Sequence, residues 1–203
     1  MPFGAYDPKE LMEAEGHEEP ACPYKISSDH SVTSIAWKQP GASQFKAVTS
    51  DGQIFQWDSR NPNGLKNLYT SEHNYYHAID YSHDDGQKFV CAGYLPVLEI
   101  FDDETMTPVQ FFDIVDKVGH SNKVYAVKFD ELNHNVIYSG GWDRNVVTWD
   151  IRQGGKHCGA IYGPLISGDA LDIDSRKHLL VTGSQKQDDG IQLWDLRTRK
   201  LLK

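Results

Sequence analysis

The sequence predicts an all-β chain made of one repeated unit, and three observations carry that prediction. Four segments close alike: DGQIFQWD (51–58), PVLEIFDD (96–103), RNVVTWD (144–150) and DGIQLWD (189–195). Their aromatic anchors, Trp57, Phe101, Trp149 and Trp194, lie 44, 48 and 45 residues apart. Each closing is preceded by two shorter signals in fixed order: first SIAW, AIDY, AVKF or ALDI, then FKAVTS, FVCAG, VIYSGG or LLVTGS. These runs are rich in Val, Ile, Tyr, Phe and Trp and are mostly bounded by Gly, Asp, Asn or Ser, which is strand-and-turn chemistry. Beyond the leader DPKELMEAEGHEE no segment has a helical period.

Taken in chain order, residues 1–23 form an acidic leader. Asp7–Glu19 holds six carboxylates against Lys9 alone, the composition of a solvated, mobile arm. Leu11 and Met12 among those carboxylates could instead dock as one helical turn on a basic partner. Asp102, Asp103, Glu104, Asp113 and Asp116 add acidity after the second blade's inner strands. Residues 24–203 then divide into repeats near 24–60, 61–104, 105–152 and 153–203. VYAVKF (124–129) and NVVTWD (145–150) carry too few charges to coat a solvated sheet, so these strands are expected to be covered on both faces. Asp51-Gly52 and Asp189-Gly190 tolerate the backbone angles of tight hairpins.

Composition excludes several function classes. The chain has 203 residues, with 20 Lys plus Arg against 29 Asp plus Glu and a net charge of −9, which argues against a phosphate-neutralising surface and hence against nucleic acid or anionic lipid as partner. No apolar run approaches the roughly 20 residues of a membrane helix, and the first residues lack the basic and apolar regions of a secretory signal. A cytoplasmic or nuclear, non-secreted protein is expected. Cys22, Cys91 and Cys158 are odd in number and far apart, a pattern of ordinary reduced thiols. His73, His77 and His83 do not gather on one face of a strand, and Gly154-Gly155-Lys156 lacks the spacing of a phosphate loop. No metal, cofactor or catalytic site is predicted.

The period near 45 with its terminal Trp-Asp resembles the WD-repeat β-propeller family, over roughly residues 24–203. The third repeat carries the resemblance best, through Gly119-His120, Ser139, Asp143 and Trp149-Asp150. It implies four blades, each repeat supplying the outer strand of one blade and three inner strands of the next. Outer strands are then expected at Tyr24–Ser27, Leu65–Thr70, Pro108–Phe112 and His157–Ile161, with a fifth starting near Lys200. The family commonly has seven blades, on the order of 315 residues at this period. The four repeats are therefore expected to be an N-terminal piece whose missing C-terminal blades close the ring. The alternatives are two copies of the chain sharing an eight-bladed ring, or a closed four-blade ring.

The resemblance also assigns roles. His120, Ser139, Asp143 and Trp149 match the family's hydrogen-bonded set within a blade. A buried indole N–H needs an acceptor, and a hydroxyl and an imidazole can relay the chain to a carboxylate. The same trio invites a hydrolase reading, but no G-x-S-x-G elbow accompanies Ser139. Partial sets are Asp51 with Trp57, where Ala47 takes the serine position, and Thr182, Asp188 and Trp194, where no histidine precedes. His30 lies too near Val32 to match His120 clearly. The second repeat has Phe101 for the tryptophan and Leu95 for the aspartate. W-D-x-R recurs at 57–60, 149–152 and 194–197, resembling the motif by which substrate receptors dock the adaptor of cullin-RING ubiquitin ligases. That makes Arg60, Arg152 and Arg197 candidate partner-binding residues, unless each pairs locally with its aspartate. Trp142 and Arg144, in the third repeat's hairpin turn, are the other partner-binding candidates, with the aromatic pair Tyr75-Tyr76; the alternative is that Trp142 packs against a neighbouring blade's turn. The function expected is a protein–protein interaction scaffold, a subunit of a larger complex.

Overall fold

The computed structural model describes residues 31–39, 41, 43–61, 66–84, 86–113, 119–154, 157–186 and 188–203. The leader, His30 and the expected strand Tyr24–Ser27 lie outside them. The described residues form four antiparallel four-stranded sheets, each strand hydrogen-bonded to the next in sequence. The first holds β1 (Val32–Trp37), β2 (Gln44–Thr49), β3 (Gln53–Asp58) and β4 (Lys66–Thr70). The second holds β5 (Tyr76–Tyr81), β6 (Lys88–Gly93), β7 (Leu98–Asp102) and β8 (Pro108–Phe112). The third holds β9 (Val124–Phe129), β10 (Val136–Gly141), β11 (Asn145–Asp150) and β12 (His157–Tyr162), and the fourth β13 (Leu171–Asp174), β14 (Leu179–Gly183), β15 (Ile191–Asp195) and β16 (Lys200–Leu201). Each sheet takes its outermost strand from the repeat that follows, so sheet limits run past the repeat limits read from the anchors. Among the described residues no helix is long and apolar enough to cross a membrane.

The strands nearest the axis pack in series, β1 on β5, β5 on β9 and β9 on β13. A separate apolar cluster fills each of the three interfaces. The anchor of each sheet faces the preceding sheet. Phe101 lies edge-on to Tyr69 of β4 at 5.1 Å, and Trp149 stacks on Phe112 of β8 at 5.5 Å. Trp194 joins Ala126, Tyr138 and Val146 of the third sheet. The first sheet's anchor continues a ring ladder, Trp37 on Phe45 at 5.0 Å and Phe45 on Trp57 at 5.8 Å, with Trp37 and its neighbour Ile35 exposed. At the other end of the stack Val181 and Ile191 are exposed. A register shift recurs between the two inner strands of each of the first three sheets, at Val32/Ser34, Tyr76/Ala78 and Gly140/Gly141. Such bulges add twist where the strands splay from the axis.

Polar groups between sheets act as cross-links. Asp80 of β5 accepts a hydrogen bond from the Phe129 amide at 2.7 Å, and Thr33 Oγ1 donates to the Tyr76 carbonyl at 2.8 Å. The strongest link is Lys46 of β2, which is fully buried. Its ammonium donates to Gln56 Oε1 at 3.0 Å, to Tyr81 Oη at 2.8 Å and to Asp103, and lies 4.8 Å from the centre of the Phe89 ring. Asp103 also takes Lys38. Burial pulls the Lys46 pKa below the ordinary lysine value, against the opposing effect of Asp103. Burial works against the Asp103 charge too, but the two lysines outweigh it and hold the carboxyl below its ordinary value.

Removing one member of a buried pair leaves the other uncompensated, which ordinarily costs about 3–5 kcal/mol. Lys46→Met should lower unfolding free energy in urea by that amount. A loss under about 1 kcal/mol would show that this cluster does not tie the first sheet to the second.

Candidate functional site

The third sheet contains a complete buried hydrogen-bond chain. Trp149 Nε1 donates to Ser139 Oγ at 2.7 Å, Ser139 Oγ lies 2.7 Å from His120 Nε2, and His120 Nδ1 lies 2.8 Å from Asp143 Oδ2. One direction satisfies every atom: the indole donates to the hydroxyl, the hydroxyl to Nε2, and Nδ1–H to the carboxylate. Asp143 also accepts from the Ser121 and Asn145 amides at 3.0 and 3.1 Å. The chain ties the loop before β9 to the β10–β11 turn through the middle of the sheet. Burial works against the Asp143 charge, but the bonds from His120 and the two amides prevail and hold its pKa below the ordinary value. Trp149, His120 and Ser139 are all fully buried, so the trio does not present its serine to a substrate.

The other sheets resolve the same positions differently. Pairing of each anchor with the strand before it aligns Ser139 with Thr182, Cys91 and Ala47. In the fourth sheet Trp194 Nε1 donates to Thr182 Oγ1 at 3.1 Å. Asp188, placed in this set from the sequence, is exposed in the turn instead, and no bond to Thr182 or Trp194 is found for it among the described residues. The longer β14–β15 hairpin carries it away from the sheet. In the first sheet Asp51 takes Thr49 Oγ1 and Gln53 Nε2 within its own turn.

The second sheet holds a network that sequence reasoning missed. Glu99 of β7, only 6% exposed, accepts from Asn74 Nδ2 at 2.7 Å and from Tyr76 Oη at 2.9 Å. Asn74 Oδ1 accepts from the Leu95 amide at 3.0 Å. Loop and turn are thus joined as His120 and Asp143 join them one sheet later, by different residues. The available signal was a lone carboxylate inside the apolar run VLEIF.

On the loop side of these networks lies an exposed aromatic strip. Tyr75 meets Tyr94 edge-on at 5.8 Å, and Lys123 Nζ lies 4.7 Å from the Tyr94 ring and 5.3 Å from the Trp142 ring. Trp142 in turn packs on Tyr125 at 5.4 Å, and Tyr125 stacks on His77 at 4.6 Å. Tyr75, Tyr94 and Trp142 are 51%, 48% and 40% exposed. Backbone crossings fix the strip: a Cβ on Gly93 would meet the Tyr75 carbonyl oxygen at 1.8 Å, and one on Gly141 the Lys123 oxygen at 2.2 Å. Arg144, at the end of the Trp142 turn, has φ 62°, a left-handed conformation that the first sheet gives to Gly52. Tyr76, expected beside Tyr75 at the surface, is buried.

The three W-D-x-R arginines face solvent and fold back on their own aspartates. Arg152 forks onto Asp150 with bonds of 2.9 and 2.6 Å, Arg60 reaches Asp58 at 3.3 Å, and Arg197 stands 3.9 Å from Asp195. The Arg152 bond is the main reason that the Asp150 carboxyl is held below its ordinary value.

Comparison with known proteins agrees with this geometry. A sequence model of the family described as WD domain, G-beta repeat matches residues 108–150, from β8 to the end of β11. The solved structure of U3-55K superposes with a TM-score of 0.72 at 18% identity, covering 87% of this chain and 52% of that one. The crystal structure of RRP9 WD40 repeats gives the same figures. This chain has the fold of WD40-repeat propeller structures, and its residues 108–150 match a WD repeat. Among its curated relatives, the histone acetyltransferase type B subunit 2 of Candida glabrata is 22% identical over 144 residues, 71% of this chain and 33% of that protein. The DDB1- and CUL4-associated factor 11 homolog of Caenorhabditis elegans is 30% identical over 117 residues, 56% of this chain and 20% of that protein. The chain therefore spans a third or less of these relatives and about half of the matched structures.

Two stability outcomes follow. Ser139→Ala orphans both the Trp149 and His120 nitrogens and should cost about 1–3 kcal/mol in chemical denaturation. Because the folded Asp143 carboxyl titrates below its unfolded value, its contribution is present above the ordinary carboxylate pKa and is lost as pH falls through the folded one. Asp143→Asn should remove that part of the acid dependence when unfolding is followed from pH 7 to pH 3. Separately, Arg144→Gly should raise stability by about 1 kcal/mol by relieving the left-handed arginine; a loss would show that Arg144 contacts outweigh its strain.

Proposed function

We propose that this WD-repeat chain is a non-catalytic protein-interaction module that serves within a larger assembly. Its binding surface is the strip Tyr75, Tyr94, Lys123 and Trp142, bordered by Arg144. The observation that carries the reading is the strip itself: three large exposed aromatic rings with an ammonium between two of them, held on rigid turns. Aromatic and arginine side chains of this kind dominate partner binding where they have been dissected. The left-handed Arg144 supports it, since strain of this kind collects at functional positions. The match to a subunit of a histone acetyltransferase is in keeping with assembly into a complex.

A second reading, a substrate receptor of a cullin-RING ubiquitin ligase, is favoured by the three exposed W-D-x-R arginines and by the likeness to a relative named as DDB1- and CUL4-associated. Local pairing leaves each guanidinium only part of its donors for a partner. The readings separate in one affinity-purification series from cells. Under the first, Trp142→Ala with Tyr94→Ala removes most co-purifying protein at least fivefold, while Arg152→Ala with Arg197→Ala changes little. Selective loss of the ligase adaptor from the arginine variant would instead establish the second.

A further inference from the structure

Next to the aromatic strip, the first and second sheets part to leave a cleft of about 560 Å³. One wall is the end of β4 and the loop after it, with Tyr69 and Glu72; the other is the second sheet, with Val97, Glu99, Phe111 and Asp113. Three carboxylates line this space, and none of the described lining residues is a lysine or arginine. Glu72 and Asp113 stand exposed at its edges, and Phe111, 56% exposed, forms the lip beside them.

Glu99 is the decisive residue. Its two donors, the Asn74 amide and the Tyr76 hydroxyl, are neutral, and no ion pair to a described lysine or arginine reaches it. A buried carboxylate is ordinarily matched by a cation. Asp103, elsewhere in the same interface, has two lysines. Among the described residues no cation is paired with Glu99, and the open cleft beside it is where one can enter.

We infer that this cleft receives an arginine side chain of a partner protein. The inference rests on the interaction-module reading above and names the chemistry of the group recognised. A guanidinium suits the walls better than an ammonium. It is planar, stacks on aromatic rings such as Phe111 and Tyr69, and offers several donors to carboxylates on opposite sides. The chain's own leader is a poor occupant, because six carboxylates in Asp7–Glu19 would meet three more.

The test is an NMR titration of the full ¹⁵N-labelled chain with N-acetyl-arginine N-methylamide and, in parallel, with its uncharged citrulline counterpart. The expected result is saturable shifts at the Asn74 and Leu95 amides with the arginine probe, and at least tenfold weaker binding of citrulline. Glu72→Gln with Asp113→Asn, both at exposed positions, should weaken the arginine probe at least tenfold while leaving the spectrum otherwise folded. Phe111→Ala should weaken it independently of charge. No saturable shift at Asn74 and Leu95, equal binding of citrulline, or unchanged binding in the double variant would overturn the inference. Because the probe is a single residue, this readout does not depend on partner capture, so failure of the strip variants to lose partners is a separate result.

Discussion

A sheet covered on both faces has no water with which to satisfy the polar groups between its strands and its neighbours, and this constraint organises the chain. The large anchor of each sheet must bury its ring against the sheet before it, and an indole brings an N–H that needs an acceptor there. In the third sheet the answer is a relay from Trp149 through Ser139 and His120 to Asp143, ending on two backbone amides. The relay has the residue types of a hydrolytic triad, yet every link is spent on joining turn to loop. Stacking the sheets and satisfying the indole are one requirement.

The same constraint explains why the repeats diverge without losing the fold. Phenylalanine at 101 brings no N–H, so the second sheet needs no serine, and Cys91 fills the place as a small apolar group. The loop must still be tied to the turn, and Glu99, Asn74 and Tyr76 do so with a carboxylate reaching outward from β7. Between the first two sheets, Lys46 and Asp103 add a buried charged link, whereas the second and third sheets are joined by the bond from the Phe129 amide to Asp80. There burial pushes the Asp80 carboxyl up to about 6, the opposite direction from Asp143.

Much of the architecture was legible because it depends on local, periodic signals. The anchors at 57, 101, 149 and 194 gave the unit, the Asp-Gly pairs gave hairpins, and the offset of the outer strand followed from the resemblance. The polar relay was legible at His120, Ser139, Asp143 and Trp149 because all four lie at fixed offsets within one repeat. What sequence could not give were contacts between repeats. Lys46 reads as an ordinary exposed lysine until Tyr81 of β5, Phe89 of β6 and Asp103 close over it. Asp188 looked like the Asp143 equivalent, but two extra hairpin residues changed its direction. Nor does spacing reveal that Lys123 sits between two rings from different sheets, the feature on which the functional reading turns.

The five tryptophans make the central claim directly measurable through hydrogen exchange of their indole N–H groups. Trp149 and Trp194 are buried and bonded to Ser139 and Thr182, while Trp37 and Trp142 are 47% and 40% exposed. The account requires the Trp149 and Trp194 indoles to exchange only when the stack opens, orders of magnitude more slowly than those of Trp37 and Trp142. If the Trp149 indole exchanged as fast as that of Trp37, anchor burial with internal satisfaction would not be what holds the sheets together.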